Sequence, residues 1–325
     1  MRNKNQMNKL TRKEFIRLSM ASTLAIPFIG CTGRSAGAGK SDDQQSKEQT
    51  YADTIGFQVF AFRDMLVNDA PNLFKSFASA GVKSIEFFNP ATLNEYVPIV
   101  KDCGMLPLST HFMPGYVTGN WEMARSMNMA PSDNYYYENI IEDCVKNGIN
   151  YMGIAILLEE DRPTLDDYKR FAEKFNACGE KSKAAGIQLY YHNHSFEFES
   201  MQGTTPYDEM LKIFDKELVK LELDVFWVTV GGQDPLLWLQ KTGDRLLFLH
   251  MKDLKKESQT GVFNFNIPED SYTELGTGML DYMAILQLTR KLGIQYAIVD
   301  QDSTQMTDKI ASVRQNCEYI KSLGI

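Results

Sequence analysis

The sequence predicts a closed (β/α)8 TIM barrel folded as a single domain. Three observations carry this expectation. Short runs rich in β-branched and aromatic residues alternate with helical patterns, the alternation repeats eight times from Tyr51 onward, and several helical patterns stop at a glycine just before the next strand. Eight βα units with no GxGxxG or Walker A motif favour a closed parallel barrel over an open doubly wound sheet. A chain of 325 residues with 43% hydrophobic content is long enough to fill such a barrel.

The expected strands are residues 55–62, 84–89, 106–112, 151–157, 188–195, 220–228, 246–252 and 296–302. Gly81, Gly104, Gly148, Gly186 and Gly293 each stand where a helix should end in a left-handed cap. Two connections are long, Met113 to Asp133 after the third strand and Lys255 to Gly278 after the seventh. Both belong to the C-terminal face of the barrel, where loops of this architecture carry function.

The first thirty residues differ in kind from the rest. Arg2, Lys4, Lys9, Arg12, Lys13 and Arg17 lead into an apolar stretch from Leu18 to Gly30 that meets Cys31, the layout of an export signal. Thr11 to Arg17 resembles a twin-arginine signal with Lys13 at the second arginine, and Phe28-Ile29-Gly30-Cys31 resembles a lipoprotein cleavage box. The apolar stretch is shorter than the roughly twenty residues that a membrane-spanning helix needs. The expected organisation is therefore a signal over 1–30, a polar flexible linker over 31–50 and the barrel over 51–325, in an exported protein, periplasmic or anchored through a lipid on Cys31.

The chain carries a net charge of −8, and loss of its basic leader would make it more acidic, so nucleic acid is an unsuitable partner. Cys103, Cys144, Cys178 and Cys317 fall in helical patterns without CxxC spacing and read as buried thiols. The sequence does not fix the oligomeric state.

The chain has only four histidines, and His111, His192, His194 and His250 all fall near the C-terminal ends of expected strands. Strand periodicity puts His192 and His194 on one face, His250 with Lys252, and Asp300 with Asp302. Inward charges at a barrel mouth need one another or a metal, because an unpaired buried charge costs several kcal/mol. Asp224, on the sixth strand, joins this group.

Five motifs in order, Tyr190 to His194, Leu223 to Trp227, Leu249 to Asp253, Glu274 to Gly278 and Val299 to Asp302, resemble the sugar phosphate isomerase/epimerase family of xylose isomerase-like TIM barrels. The resemblance covers residues 52–325. It implies one divalent metal held by His192, Asp224, His250 and Asp300, where relatives carry Glu, Asp, His and Glu. His at 192 turns the donor set to two nitrogens and two oxygens, which suits Mn, Co, Fe or Zn better than Mg or Ca.

In epimerases of the family the two metal-bound glutamates act as acid and base, and this chain has neither. The base is then sought among Lys252, His111, Glu86 and His194, with Lys252 and His111 favoured; a salt bridge to Asp224 or Asp253 is the other reading of Lys252. Trp227, Phe60 and Phe88, with Asp302, are the expected contacts to the sugar. The implied activity is isomerisation or epimerisation by proton abstraction next to a carbonyl, on a non-phosphorylated keto-sugar or glycoside. No basic cluster or glycine-rich nest follows strands seven and eight to hold a phosphate. The alternatives are a 3-keto-glycoside lyase or dehydratase acting by β-elimination, and a carbohydrate-binding lipoprotein without catalysis. An endonuclease with a three-zinc cluster would need more histidines and a basic face.

Overall fold

The computed structural model describes residues 49–126, 134–265, 267–304 and 306–325, so the expected signal and linker, and part of the connection after the third strand, lie outside the described residues. Residues Glu48–Ile325 form a compact unit. Among the described residues no helix is long and apolar enough to cross a membrane.

Eight parallel strands close the barrel: β1 (Gly56–Gln58), β2 (Ser84–Phe87), β3 (Leu106–Phe112), β4 (Tyr151–Ile154), β5 (Gln188–His192), β6 (Val219–Asp224), β7 (Leu246–Met251) and β10 (Tyr296–Val299). They pair in chain order, and β10 returns to β1. Between them β8 (Asp253–Leu254) and β9 (Tyr272–Thr273) form a small antiparallel ribbon, so the long connection expected after β7 is partly ordered. The fold class expected from the sequence is the one observed.

Two apolar layers hold the barrel. Leu108, Tyr190, Phe248 and Ile298 fill its interior, while a larger cluster that includes Phe57, Phe74, Phe77, Leu189 and Val299 lies between strands and helices. Gly153 is required where β4 passes the interior layer, since a Cβ there would fall 2.2 Å from the Tyr190 ring. The five helix-ending glycines all adopt positive φ. Tyr51 donates its backbone N–H to the Ile325 carbonyl at 2.7 Å, tying the start of the barrel to its end.

β3 ends at Phe112 as expected, whereas the other seven strands end earlier than the sequence suggests, two of them for visible local reasons. β1 stops at Gln58, whose side-chain oxygen accepts the Phe60 N–H at 2.5 Å and turns the chain into the 3-10 turn Phe60–Phe62. Residues 225–228, expected as the end of a strand, instead begin the helix Val225–Val230, because Asp224 caps it: Oδ1 accepts the Trp227 N–H at 3.0 Å. Consequently Lys252, His194, Asp300 and Asp302 stand just beyond their strands. Of the four thiols expected to be buried, Cys144 and Cys317 are, whereas Cys103 and Cys178 are half-buried at the helical surface; all four are free.

Candidate active site

Above the interior apolar layer lies a wholly buried polar layer. The strand register shifts immediately before Glu86 on β2 and before Glu222 on β6, the kind of irregularity that re-aims a side chain. Glu86 accepts hydrogen bonds from Ser109 Oγ (2.7 Å), Tyr190 OH (2.6 Å) and His250 Nε2 (2.8 Å), and His111 Nε2 lies 3.2 Å away. Glu222 Oε2 accepts from His111 Nε2 (2.8 Å) and His192 Nδ1 (3.0 Å). Burial would raise the Glu86 pKa, but the charges of His111 and His250 pull it down to about 2. Burial and the neighbouring Glu86 push Glu222 up to about 7. Desolvation opposes charge on His111 and His250, and the two glutamates outweigh it and raise both pKa values.

These contacts decide which nitrogen each histidine offers upward. His250 is engaged through Nε2, so its Nδ1 faces Asp224 Oδ2 at 3.8 Å and Asp300 Oδ2 at 3.6 Å. His192 is engaged through Nδ1, and its Nε2 lies 3.9 Å from Asp224 Oδ2. Burial and surrounding positive charge hold the His192 pKa well below its usual value, which keeps the lone pair free. His250 Nδ1 and Asp300 Oδ1 are buried without a hydrogen-bond partner among the described residues, and Asp224 Oδ2, which has none either, faces the Lys252 ammonium as an ion pair at 3.3 Å. Two groups of donor atoms each lie within 4.8 Å of one another: Asp224, His250 and Asp300, and, beneath them, His111, His192, Glu222 and His250. Orphaned buried donors in a mixed nitrogen and oxygen set are what a divalent transition metal requires, so these residues fit the metal implied by the fold.

Lys252 shares the same oxygens. Its ammonium pairs with Asp300, with Asp302 Oδ2 at 2.6 Å and with Asp224 Oδ2 at 3.3 Å. Burial opposes its charge, but the three carboxylates raise its pKa well above normal. Asp253 does not pair with Lys252. It turns to the following loop and accepts the N–H groups of Gly276 (2.9 Å), Gly278 (3.0 Å) and Leu280 (3.2 Å). That loop needs its glycines: Gly276 has φ +80°, and a Cβ on Gly278 would fall 2.2 Å from Asp253 Oδ1.

A cavity of about 320 Å³ opens above this cluster, in the range of small-molecule sites. Phe60 and Phe88, edge-on at 5.4 Å, form part of its wall with Trp227; His111, His192, His194, Lys252, Asp300 and Asp302 supply polar groups. Asp224 and His250 lie behind that lining, and Glu86 sits deeper, away from the cavity. His194 stacks on Phe196, keeps an unpartnered Nδ1, and is held neutral by burial and the Lys252 charge. Burial and Asp300 raise the Asp302 pKa to about 6.

The sequence reading overlooked Glu222, Gln58, Tyr272 and Phe265. Glu222 was within reach, since it precedes Asp224 by two on the same strand and shares its inward face. Tyr272 and Phe265 come from the loop after β7, where no period marks a side chain's direction.

Residues 131–323, more than half of the chain, match the family model described as xylose isomerase-like TIM barrel. The inosose dehydratase of Lacticaseibacillus casei is 25% identical over 142 residues, 41% of this chain and 47% of that enzyme. The chain thus spans about half the length of the curated relatives it matches. A sugar phosphate isomerase/epimerase from Parabacteroides distasonis superposes with a TM-score of 0.65 at 24% identity, covering 86% of this chain and 97% of that one. For the 3-keto-D-glucoside 4-epimerase of E. coli the values are 0.59, 15%, 83% and 99%. At such identities the structural likeness shows the fold. Fold, family model and superpositions agree: the chain belongs to the xylose isomerase-like TIM barrel family.

Proposed function

We propose that this protein is a divalent-metal-dependent enzyme that removes a proton next to the carbonyl of a non-phosphorylated keto-sugar or keto-glycoside. The observation that carries the reading is the cluster of Asp224, His250 and Asp300, with orphaned buried donors, beneath a cavity walled by Trp227, Phe60 and Phe88. Asp224, His250, Asp300 and the Nε2 of His192 hold the ion. When bound, such a metal polarises a carbonyl and stabilises the negative charge that develops on its oxygen.

The chain's own groups divide the remaining work. His111 is held between Glu86 and Glu222 and is not free to accept a proton, and Lys252 keeps Asp302 as its partner when a metal takes Asp224 and Asp300, which leaves it an ammonium that donates. Asp302, at the edge of the cavity beside Lys252, takes the C–H proton; His194 and Lys252 donate to substrate oxygens. Glu86 and Glu222 position the histidine ligands, and His111 bridges the two carboxylates.

With a proton returned to carbon the outcome is isomerisation or epimerisation. With a leaving group β to the carbonyl it is elimination, which the similarity to a dehydratase supports. In a 3-keto-glucoside the C2–H bond breaks, its electron pair forms the C1–C2 double bond, the C1–O bond breaks, and the departing oxygen takes a proton from the Lys252 ammonium. Export, proposed from the leader, fits a substrate without phosphate.

The test is to incubate the purified protein, with Mn or Zn, in deuterated buffer with 3-keto-glucosides. The reading expects released aglycone or deuterium next to the carbonyl; neither product across a panel of keto-sugars would overturn it. A non-catalytic carbohydrate-binding role is favoured by one observation, the neutralisation of the carboxylates by Lys252, and a purified chain free of metal would support it.

A further inference from the structure

A second and larger cavity, about 880 Å³, opens at the same mouth of the barrel, between the segment after β7 and the loops after β4 and β5. The chemistry above leaves it unused. Its lining includes Arg162, only 6% exposed. The guanidinium lies 3.5 Å over the Phe196 ring and donates from Nε to the Leu157 carbonyl (3.1 Å) and from Nη1 to the Tyr168 hydroxyl (3.4 Å). Among the described residues no carboxylate lies at ion-pair distance from it, though its charge acts on the nearby buried Glu197. The guanidinium's remaining N–H donors are not among the buried polar atoms without a partner, so they open onto the cavity, where an oxygen acceptor can meet them.

The rest of the lining says what kind of acceptor. Glu159, Glu257 and Asp270 present exposed carboxylates, and Phe263 and Ile267 give apolar surface. Carboxylates outnumber cations around the space, which disfavours an anion. A neutral ring bearing hydroxyls satisfies all three features: its oxygens accept from Arg162, its hydroxyls donate to the carboxylates, and its C–H face rests on Phe263.

One aromatic layer separates this space from the inner cavity. Phe265 lines the inner cavity and stands edge-on to His194 (5.1 Å) and Phe196 (5.3 Å), while its neighbours Phe263 and Asn264 line the outer one. We infer that the outer cavity, with Arg162 at its wall and Phe265 as the partition, binds a second sugar unit of the substrate. The substrate is then a glycoside of at least two rings, the inner ring reacting and the outer one held as its neutral partner. This rests on the carbohydrate reading of the inner site given above.

The experiment compares kcat/KM of the full chain for a 3-keto-glucosyl disaccharide and for methyl 3-keto-glucoside. In parallel, calorimetry measures binding of the unoxidised disaccharide and methyl glucoside. The inference expects a preference of about tenfold or more for the disaccharide, reduced several-fold in Glu257→Gln and Glu159→Gln, whose exposed positions spare the fold, and lost in Arg162→Lys. The methyl glycoside should be unaffected by these substitutions. Equal kcat/KM for the two substrates, or variants that lower both alike, would overturn it. If wild type turns over neither, the proton-abstraction reading fails, and calorimetry decides the inference alone: disaccharide binding weakened by Glu257→Gln supports it, and equal binding of both sugars overturns it.

Discussion

The Nε2 of His250 meets Glu86 Oε1 at 2.8 Å, and this one contact leaves the opposite nitrogen of the ring facing Asp224 and Asp300. Glu86, which never reaches the cavity, thereby fixes the ligand above it. Outer carboxylates of this kind typically change metal affinity 10–100-fold when removed. Glu86→Gln, which keeps the shape, should weaken metal binding by about that factor in a chelator competition assay. Unchanged affinity would mean that Glu86 only balances charge.

Asp224 serves two ends with its two oxygens: Oδ1 caps the helix Val225–Val230, and Oδ2, which faces Lys252, is the one a metal would take. Asparagine is a good cap, so Asp224→Asn should lose bound metal while thermal stability in EDTA stays within ~1 kcal/mol of wild type. Asp224→Ala should lose both. Metal analysis with thermal unfolding separates the two roles.

Lys252 and a metal compete for Asp224 Oδ2 and Asp300 Oδ2. In the metal-free protein, Lys252→Met strands three carboxylates and should destabilise by about 3–5 kcal/mol. Added metal should then raise Tm more in the variant than in wild type. Equal increments in scanning calorimetry would contradict a shared site.

Much of this was legible in the chain. The four histidines at or near strand ends and the i, i+2 pairs His250/Lys252 and Asp300/Asp302 were legible as groups sharing a face, and charges so placed at a barrel mouth need partners. Where the strands end was not legible, because Gln58 and Asp224 terminate them with side-chain hydrogen bonds that override the β propensity of the residues that follow. Nor was the division of the site into two layers. Glu86 and Lys252 both read as candidate catalysts, but Glu86 lies within β2 and sits below, among histidines, while Lys252 follows the end of β7 and rises among aspartates.

Glu197 offers a test of the fold away from the metal ligands. It accepts from Tyr191 OH (2.6 Å) and the His194 N–H (2.9 Å), and burial raises its pKa from 4.5 to about 7. The folded state therefore holds a proton that the unfolded state releases. Stability from this group is full below pH 4.5 and is lost as pH rises to about 7, a fall on the order of 3 kcal/mol. Urea unfolding across that window should show this component in wild type and not in Glu197→Gln; identical slopes would refute it.

The central claim, a divalent metal held by His192, Asp224, His250 and Asp300, is tested most directly by anomalous diffraction at the metal edge from crystals of the purified protein grown with Mn or Zn. The account predicts one peak within bonding distance of Asp224 Oδ2, His250 Nδ1, Asp300 and His192 Nε2, with the Lys252 ammonium displaced from the aspartates. No peak, with Lys252 still seated among Asp224, Asp300 and Asp302, would contradict it, as would a peak among His111, His192 and Glu222 instead.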